Sequence, residues 1–192
     1  SADVATWDST GPSLGAGLTL AAGTNWLGVN VQGAASAITI SGAGTLTLGS
    51  SGINLASAGV DLSLTNSRTF GATSALNVDA GRILTLFGGT TTFGAGTTTS
   101  LTGSGNLVLG GASHTITGSG ALNIGSGFVL QNNMQAGSSS ATFSGATTLS
   151  GGIISISTSV SSFGTGTINL NGGTIGSFSA TGRAIGNNAV NI

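Results

Sequence analysis

The side chains that could carry acid–base or metal chemistry are few in this chain of 192 residues, which has four aspartates, three arginines, one histidine and no cysteine. General acid–base catalysis needs a titratable group beside a partner, and zinc sites are built from several Cys or His ligands. His114 has no acid near it in the sequence. Its alternation with Ile116 in S-H-T-I-T predicts an inward-facing, hydrogen-bonded residue close to a strand end. We therefore predict no enzyme activity, no metal site and no cofactor.

The charged residues are too few to direct binding to a polyanion. They make up 4% of the chain, against the ~25% that is usual, and the net charge is −1. Neutralising a run of phosphates requires clustered Lys and Arg, so we expect no nucleic-acid partner. Asp61 and Asp79 are predicted to form surface ion pairs with Arg68 or Arg82 on a neighbouring segment.

The apolar residues predict a folded chain that does not insert into a membrane. Hydrophobic residues are 39% of the total and mean hydropathy is +0.42, which is too apolar for a disordered coil. No run approaches the ~18 apolar residues of a membrane helix, and the alternating runs are shorter than the ~9–11 residues of a membrane barrel strand. The sequence begins at Ser1 and its one methionine is Met134, so we expect a processed or partial product, and it contains no signal-peptide h-region.

One polar residue returns on a nearly fixed period. An asparagine lies between two aliphatic residues at six positions: Asn30, Asn54, Asn77, Asn123, Asn169 and Asn191. Each step along this series is either one period of roughly 23 residues or twice that period, and a repeat of this length is typical of a solenoid. The two positions that the double steps pass over, near Ser100 and Thr147, carry hydroxyls instead.

Short alternating segments explain the length of this repeat. Runs of three to five residues with period-two alternation, each closed by a glycine-rich turn, follow one another at ~8-residue spacing and predict strands. Three such units give one turn of about 23 residues. A second column supports this period: Leu48, Phe70, Phe93 and Ile116, continued by Phe163 and Ile185. We predict an all-β, single-domain parallel β-solenoid with three short strands per coil and about eight coils.

In such a coil the asparagines point outward, because their aliphatic neighbours point inward. Successive coils lie ~4.8 Å apart, close enough for equivalent amides to form a ladder of hydrogen bonds. We favour this structural role for the asparagines over a role in binding a sugar or a neighbouring fibre.

The domain organisation is predicted from the tryptophans and from one break in the pattern. Trp7 and Trp26 place an N-terminal cap in residues 1–29, with a sugar-stacking platform as the alternative. The coils occupy residues 30–192. The polar stretch Q-N-N-M-Q-A-G-S-S-S disturbs the period and predicts an irregular corner loop near residues 131–140.

Long strings of this chain resemble a known family. AITISGAGTLTLGSSGINLASAGVDLSLTNS and GTINLNGGTIGSFSA look like the autotransporter-associated β-strand repeats (passenger-associated transport repeats) of large secreted bacterial proteins, and T-W-D at Thr6–Asp8 resembles the opening of their mature passenger regions. The resemblance implies a right-handed β-solenoid that is secreted or exposed at the cell surface. Right-handed connections are also the general preference of parallel strands. The membrane barrel or sorting segment that ends many relatives is absent from this sequence.

The ends of the predicted solenoid suggest self-association. Terminal strands expose unpaired edges, and the A-V-N-I sequence that ends the chain stays in register with Asn169, so either the natural chain continues or another subunit stacks there. Head-to-tail stacking of this kind yields a filament. The predicted assembly edge comprises Val4, Trp7, Val190, Asn191 and Ile192.

These features predict an extracellular structural protein, a non-covalent fibre or stalk of stacked solenoid subunits. The alternative is an adhesin-like passenger segment whose loops, such as the one from Gln131 to Gln135, contact a surface glycan. Ice binding is a third function, since T-x-T occurs at Thr45 and Thr115. It requires outward threonines on every coil, and because these threonines do not recur at the period of the asparagines we do not expect it.

Overall fold

A computed structural model describes residues 3–9, 17–111, 113–134, 139–156, 164–177 and 189–192, with backbone only at 132–134 and 139–141. These residues form twenty-one strands and no helix. The strands are β1 (Val4–Asp8), β2 (Gly17–Thr19), β3 (Thr24–Gln32), β4 (Ile38–Ser41), β5 (Leu46–Leu55), β6 (Leu62–Leu64), β7 (Arg68–Phe70), β8 (Ser74–Val78), β9 (Ile83–Phe87), β10 (Thr90–Phe93), β11 (Thr98–Gly103), β12 (Asn106–Gly111), β13 (Thr115–Gly118), β14 (Ala121–Ile124), β15 (Val129–Met134), β16 (Ser139–Phe143), β17 (Thr147–Leu149), β18 (Ile153–Ile156), β19 (Ile168–Leu170), β20 (Thr174–Ser177) and β21 (Val190–Asn191).

Parallel pairing between successive turns arranges these strands in three walls. The first wall contains β7, β10, β13 and β16, and the second contains β1, β8, β11, β14, β17, β19 and β21. Strands β3 and β5 are long enough to run around the corner between these two walls. The third wall contains β2, β4, β6, β9, β12, β15, β18 and β20. The predicted parallel β-solenoid of about 23 residues per turn is confirmed, with about seven turns where eight were predicted.

The core is a set of columns in which like residues lie directly over one another. On the second wall one inward column is formed by Val29, Ile53, Leu76, Leu101, Ile124 and Leu149. All of these side chains are buried. Burial of such a side chain stabilises the fold by ~1.5–3 kcal/mol relative to exposure. Because strands alternate faces, this column requires only that every second residue be aliphatic.

The aromatic column of the first wall differs in part from the prediction. Leu48, Phe70 and Phe93 are aligned as predicted, and the rings of Phe70 and Phe93 are stacked 5.4 Å apart. Ile116 was predicted to follow Phe93, which is wrong, because Gly118 lies opposite Phe93. The connection from β12 to β13 is longer than the one from β9 to β10, so the step from Phe93 to its partner exceeds the step from Phe70 to Phe93. The other predicted members, Phe163 and Ile185, lie outside the described residues.

Gly118 has a conformation and surroundings that only glycine fits. Its φ is +99°, and a Cβ there would collide with the carbonyl oxygen of Phe93. The next turn places Phe143 opposite Gly118, and the ring of Phe143 packs edge-to-face against Phe93 at 5.5 Å. The missing side chain of Gly118 therefore lets two aromatic rings from turns on either side of it make contact.

The N-terminal residues 1–29 contain a full strand of the second wall. Strand β1 pairs in parallel with β3, and Thr6 lies opposite Asn30. Trp7 is 8% exposed and packs edge-to-face with Trp26, with 6.1 Å between ring centroids. Both indoles therefore pack against the apolar core at the N-terminal end of the coil.

The prediction of a corner loop near residues 131–140 is wrong for part of this range. Residues Gln131 to Met134 belong to β15, which pairs with β12 on one side and β18 on the other. Residues 139 and 140 belong to β16. Gln131 lies opposite Val108 and Ser155 on the neighbouring turns, so a polar composition alone does not define a loop. Residues 135–138 lie outside the described part of the chain.

Candidate functional site

The predicted asparagine ladder occurs on the second wall in two offset segments. In the first segment, Nδ2 of Asn54 donates to Oδ1 of Asn30 at 3.0 Å, and Nδ2 of Asn77 donates to Oδ1 of Asn54 at 3.1 Å. The following rung is a hydroxyl, because Thr102 donates to Oδ1 of Asn77 at 3.4 Å. Three consecutive side-chain bonds therefore connect four turns on the outside of the coil.

The second segment is displaced by two residues along the strands. Asn123 lies opposite Ser100 and Thr148, not in line with Asn77. Nδ2 of Asn169 approaches the hydroxyl of Thr148 at 3.5 Å, and Nδ2 of Asn191 donates to Oδ1 of Asn169 at 2.9 Å. The hydroxyl that fills the second gap is therefore Thr148, whereas Thr147 points inward and is buried. Two extra residues in the corner between β10 and β11 produce the displacement.

The ladder has a direction. In every rung above, the donor belongs to the later turn and the acceptor to the earlier turn. Asn191 is exposed and its Nδ2 is used by Asn169, which leaves Oδ1 as the acceptor for a further rung. The two ends of the ladder are therefore chemically different, as head-to-tail addition requires.

The residues predicted to form an assembly edge have different environments. Val4 is 39% exposed and Val190 42% exposed, although Val190 occupies an inward position opposite Ile168. Asn191 and Ile192 are also exposed. Trp7 is different, since its indole is buried against Trp26. A terminal strand can place its apolar residue inside while its backbone edge stays outside.

Arg68 was predicted to form a surface ion pair, and this prediction is wrong. Its side chain is fully buried inside the coil beneath the first wall. Nε donates to the hydroxyl of Thr91 at 2.7 Å, Nη1 to the carbonyls of Leu64 and Asn66 at 2.8 and 2.7 Å, and Nη2 to the carbonyl of Gly88 at 2.6 Å. Nη2 also lies 3.0 Å from Nε2 of His114. A buried guanidinium is tolerated because its five N–H groups all have partners.

His114 completes this internal cluster and is buried, in the inward orientation that the alternation predicts. Its Nε2 lies 2.9 Å from the hydroxyl of Thr91. Because the Arg68 guanidinium can only donate, Nε2 accepts and the imidazole is neutral. Burial and the neighbouring charge of Arg68 lower the pKa of His114 to about 4, although a hydrogen bond with the backbone of Gly110 raises it. Burial lowers the pKa of Arg68 to about 9.

Asp61, Asp79 and Arg82 bond to the backbone of adjacent turns. Oδ2 of Asp79 accepts from the backbone N–H of Ser57 at 2.8 Å, and Oδ1 of Asp61 accepts from that of Ile83 at 2.9 Å. Nη1 of Arg82 donates to the carbonyl of Gly59 at 2.7 Å. The predicted ion pairs of Asp61 and Asp79 with Arg82 are therefore replaced by bonds that join successive turns at the corners.

A second outward column, on the first wall, was missed by the period search. The register aligns five threonines on five consecutive turns: Thr47, Thr69, Thr92, Thr117 and Thr142. Both steps after Thr92 are longer than the step from Thr69 to Thr92, so a search at a constant period loses the column there. The T-x-T motifs at Thr45 and Thr115 are the sequence signal for this column. The spacing of these threonines is not constant, as the sequence indicates, but the register still places one on each of these five turns.

The described residues contain no group of three or more His, Cys, Asp or Glu side chains that could hold a metal ion. The same residues include no helix of the length and hydrophobicity needed to span a membrane. No protein-family model, no curated protein and no solved structure matches this chain. The side-chain arrangement is therefore the basis for the functional proposals that follow.

Proposed function

We propose that this chain is an extracellular structural protein whose subunits stack head to tail into a non-covalent fibre or stalk. The direction of the asparagine ladder is the observation that carries this proposal. Each later turn donates to the turn before it, so a second copy placed after Asn191 presents its first turn as the donor. In that arrangement the hydroxyl of Thr6, which lies opposite Asn30 in its own chain, donates to Oδ1 of Asn191.

The composition of the edges supports the same assembly. Natural sheet edges resist pairing with other chains by carrying lysine and other charges; the C-terminal edge strand β21 carries none, and Asp8 is the one charged residue of β1. Strand β21 pairs only with β19 among the described strands, and Val190 is 42% exposed at an inward position. A stacked copy would extend the parallel sheet of the second wall by strand addition and cover Val190 with its own first turn.

Electron microscopy and sedimentation of the purified chain test this proposal. We expect filaments whose length grows with protein concentration. Val190→Lys places a charge at the stacking edge and should leave monomers. Val108→Lys controls for the added charge, since Val108 points outward on the third wall away from both ends, and it should still form filaments. Circular dichroism of Val190→Lys checks that the inward position tolerates the change. If the unaltered chain forms only monomers at high concentration, the proposal is contradicted.

An adhesin-like binding segment is the second candidate, because the third wall carries apolar side chains on its outer face. Ile83, Val129 and Ile153 lie in one outward column with Asn106, and Phe87, four residues further along β9, is 48% exposed. Exposed apolar groups of this kind mark interaction surfaces. A soluble monomer that is retained on a glycan array, and loses retention on Phe87→Ser, would favour this function over a fibre.

A further inference from the structure

We propose that the first wall is a binding face for the ordered water of an ice surface. The face is defined by the outward residues Thr45, Thr47, Ser67, Thr69, Thr90, Thr92, Thr115 and Thr117, here called the threonine face. Its activity is separate from fibre formation, because the face lies along the side of the coil and not at its ends.

The threonine face is regular in two dimensions. Along the coil, equivalent residues repeat once per turn at ~4.8 Å, the spacing of paired strands. Across the coil, the face has two ranks, which are separated by two residues of one strand, or ~6.6 Å. The first rank is Thr45, Ser67, Thr90 and Thr115, and the second rank is Thr47, Thr69, Thr92 and Thr117. The ranks hold through Thr115 and Thr117, after which the pairing of β13 with β16 contains a register shift. Four successive turns therefore present pairs of hydroxyls at positions fixed by the sheet.

The hydroxyls of the second rank of the threonine face are available to a ligand. Those of Thr47, Thr69, Thr92 and Thr117 make no hydrogen bond within the described residues, in contrast to Thr102 on the second wall, whose hydroxyl bonds to Asn77. Hydroxyls one turn apart are ~4.8 Å from each other, which is beyond the ~2.7–2.8 Å of an O–H···O bond. Each hydroxyl therefore has a donor and acceptor position that the protein does not fill.

The wall beneath these hydroxyls is held rigidly. Arg68 and Thr91 are the inward residues that alternate with the outward threonines of β7 and β10. Their bond at 2.7 Å and the contacts of His114 connect β7, β10 and the segment before β13 from inside the coil. A rigid array loses little conformational entropy on binding, which favours recognition of an equally rigid surface.

The ligand is identified by what the face contains and what it lacks. The ranks consist only of hydroxyl and methyl groups, with no charged or aromatic side chain. The face offers no aromatic ring on which a sugar could stack and no cation to neutralise a phosphate, so it favours neither ligand. A single small molecule could contact only one or two turns, whereas a crystalline lattice of water, with hydrogen-bonding groups repeated in two dimensions, can engage all the ranks at once.

Partition of the purified chain into slowly growing ice, together with thermal hysteresis, tests this inference. We expect the chain to be enriched in the ice and to depress the freezing point below the melting point. Thr92→Tyr places a ring in the centre of the face and should lower the affinity of the chain for ice about tenfold, the effect of losing ~1.4 kcal/mol of binding energy. Thermal hysteresis should fall with it. Thr85→Tyr is the matched control, since Thr85 points outward from the middle of β9 on the third wall, and it should leave activity unchanged.

Circular dichroism of each variant establishes that the β-structure is retained before activities are compared. Exclusion of the folded chain from ice would overturn the inference. Equal losses for Thr92→Tyr and Thr85→Tyr would also overturn it, because the activity would then not belong to the first wall. Retention on crystalline cellulose together with exclusion from ice would overturn it in favour of a polysaccharide ligand. Filament formation is measured on the same samples, so its failure is recorded separately.

Discussion

The first and second walls each carry an outward column with one polar residue per turn, yet the side chains bond to one another only in the column of the second wall. Asn30, Asn54 and Asn77 form rungs at 3.0 and 3.1 Å. A carboxamide has its donor and acceptor on different atoms, so it can bridge the ~4.8 Å between turns. A threonine hydroxyl is a single atom and cannot reach the next one. The choice of residue therefore decides whether the side chains of an outward column bond to one another or leave their polar groups facing solvent.

The largest expected effect on the free energy of unfolding comes from removing the buried hydrogen bonds of Arg68 beneath the first wall. Arg68→Met keeps the volume but leaves the carbonyls of Leu64, Asn66 and Gly88 buried without a donor, and we expect a loss of about 3–5 kcal/mol. Chemical denaturation measures it. Arg82→Met, which removes one surface bond to Gly59, should cost less than ~1 kcal/mol. Equal effects of the two changes would mean that the internal network does not support the wall.

Acid should lower the stability of the fold through His114, which belongs to the same buried cluster as Arg68. The pKa of His114 is about 4 in the folded chain and 6.5 in the unfolded chain, so the unfolded chain binds more protons between these values. Stability is therefore full above pH 6.5 and falls as pH decreases to 4, by about 3 kcal/mol from this group. Denaturation curves at a series of pH values test it. His114→Gln should remove most of this slope, and an unchanged slope would assign it to other groups.

A smaller effect is expected from breaking the ladder of the second wall. Asn54→Ala removes the bonds to Asn30 and Asn77 and the bond from the backbone N–H of Ala56. Because these bonds are partly exposed, we expect a loss of about 1 kcal/mol in total. Asn123→Ala is the control, since the Asn123 side chain makes no hydrogen bond within the described residues. A comparable loss at Asn123 would show that the rungs are not the cause.

The smallest expected change in stability comes from the threonine face. Thr92→Val keeps the β-branched shape and removes a hydroxyl without a protein partner, so stability should change by less than ~0.5 kcal/mol while ice affinity falls. Its neighbour Thr91 points inward and bonds to Arg68, so Thr91→Val should cost about 1–3 kcal/mol. Thermal unfolding of both variants sharpens the contrast between a hydroxyl used inside the coil and one facing solvent.

Much of the fold could be predicted because its signals are local. Alternation fixes which residues point inward, and it placed His114 correctly. The register could not be predicted beyond Phe93, because the corners vary in length and compensate for one another. Two extra residues before β11 shift Asn123 out of line with Asn77, and a shorter connection to β12 restores the original step on the third wall. The spacing between equivalent residues in the sequence therefore shows the period after compensation, but it does not reveal that Asn123 is displaced from Asn77.

The sequence by itself determined that the chain coils as a parallel β-solenoid, because a repeated length and period-two alternation of aliphatic residues leave few other ways to bury them. Only the tertiary structure decided which residues lie over one another. It buried Arg68 and aligned Thr92 with Thr117, since those outcomes depend on corner geometry and on contacts between residues that are distant in the sequence.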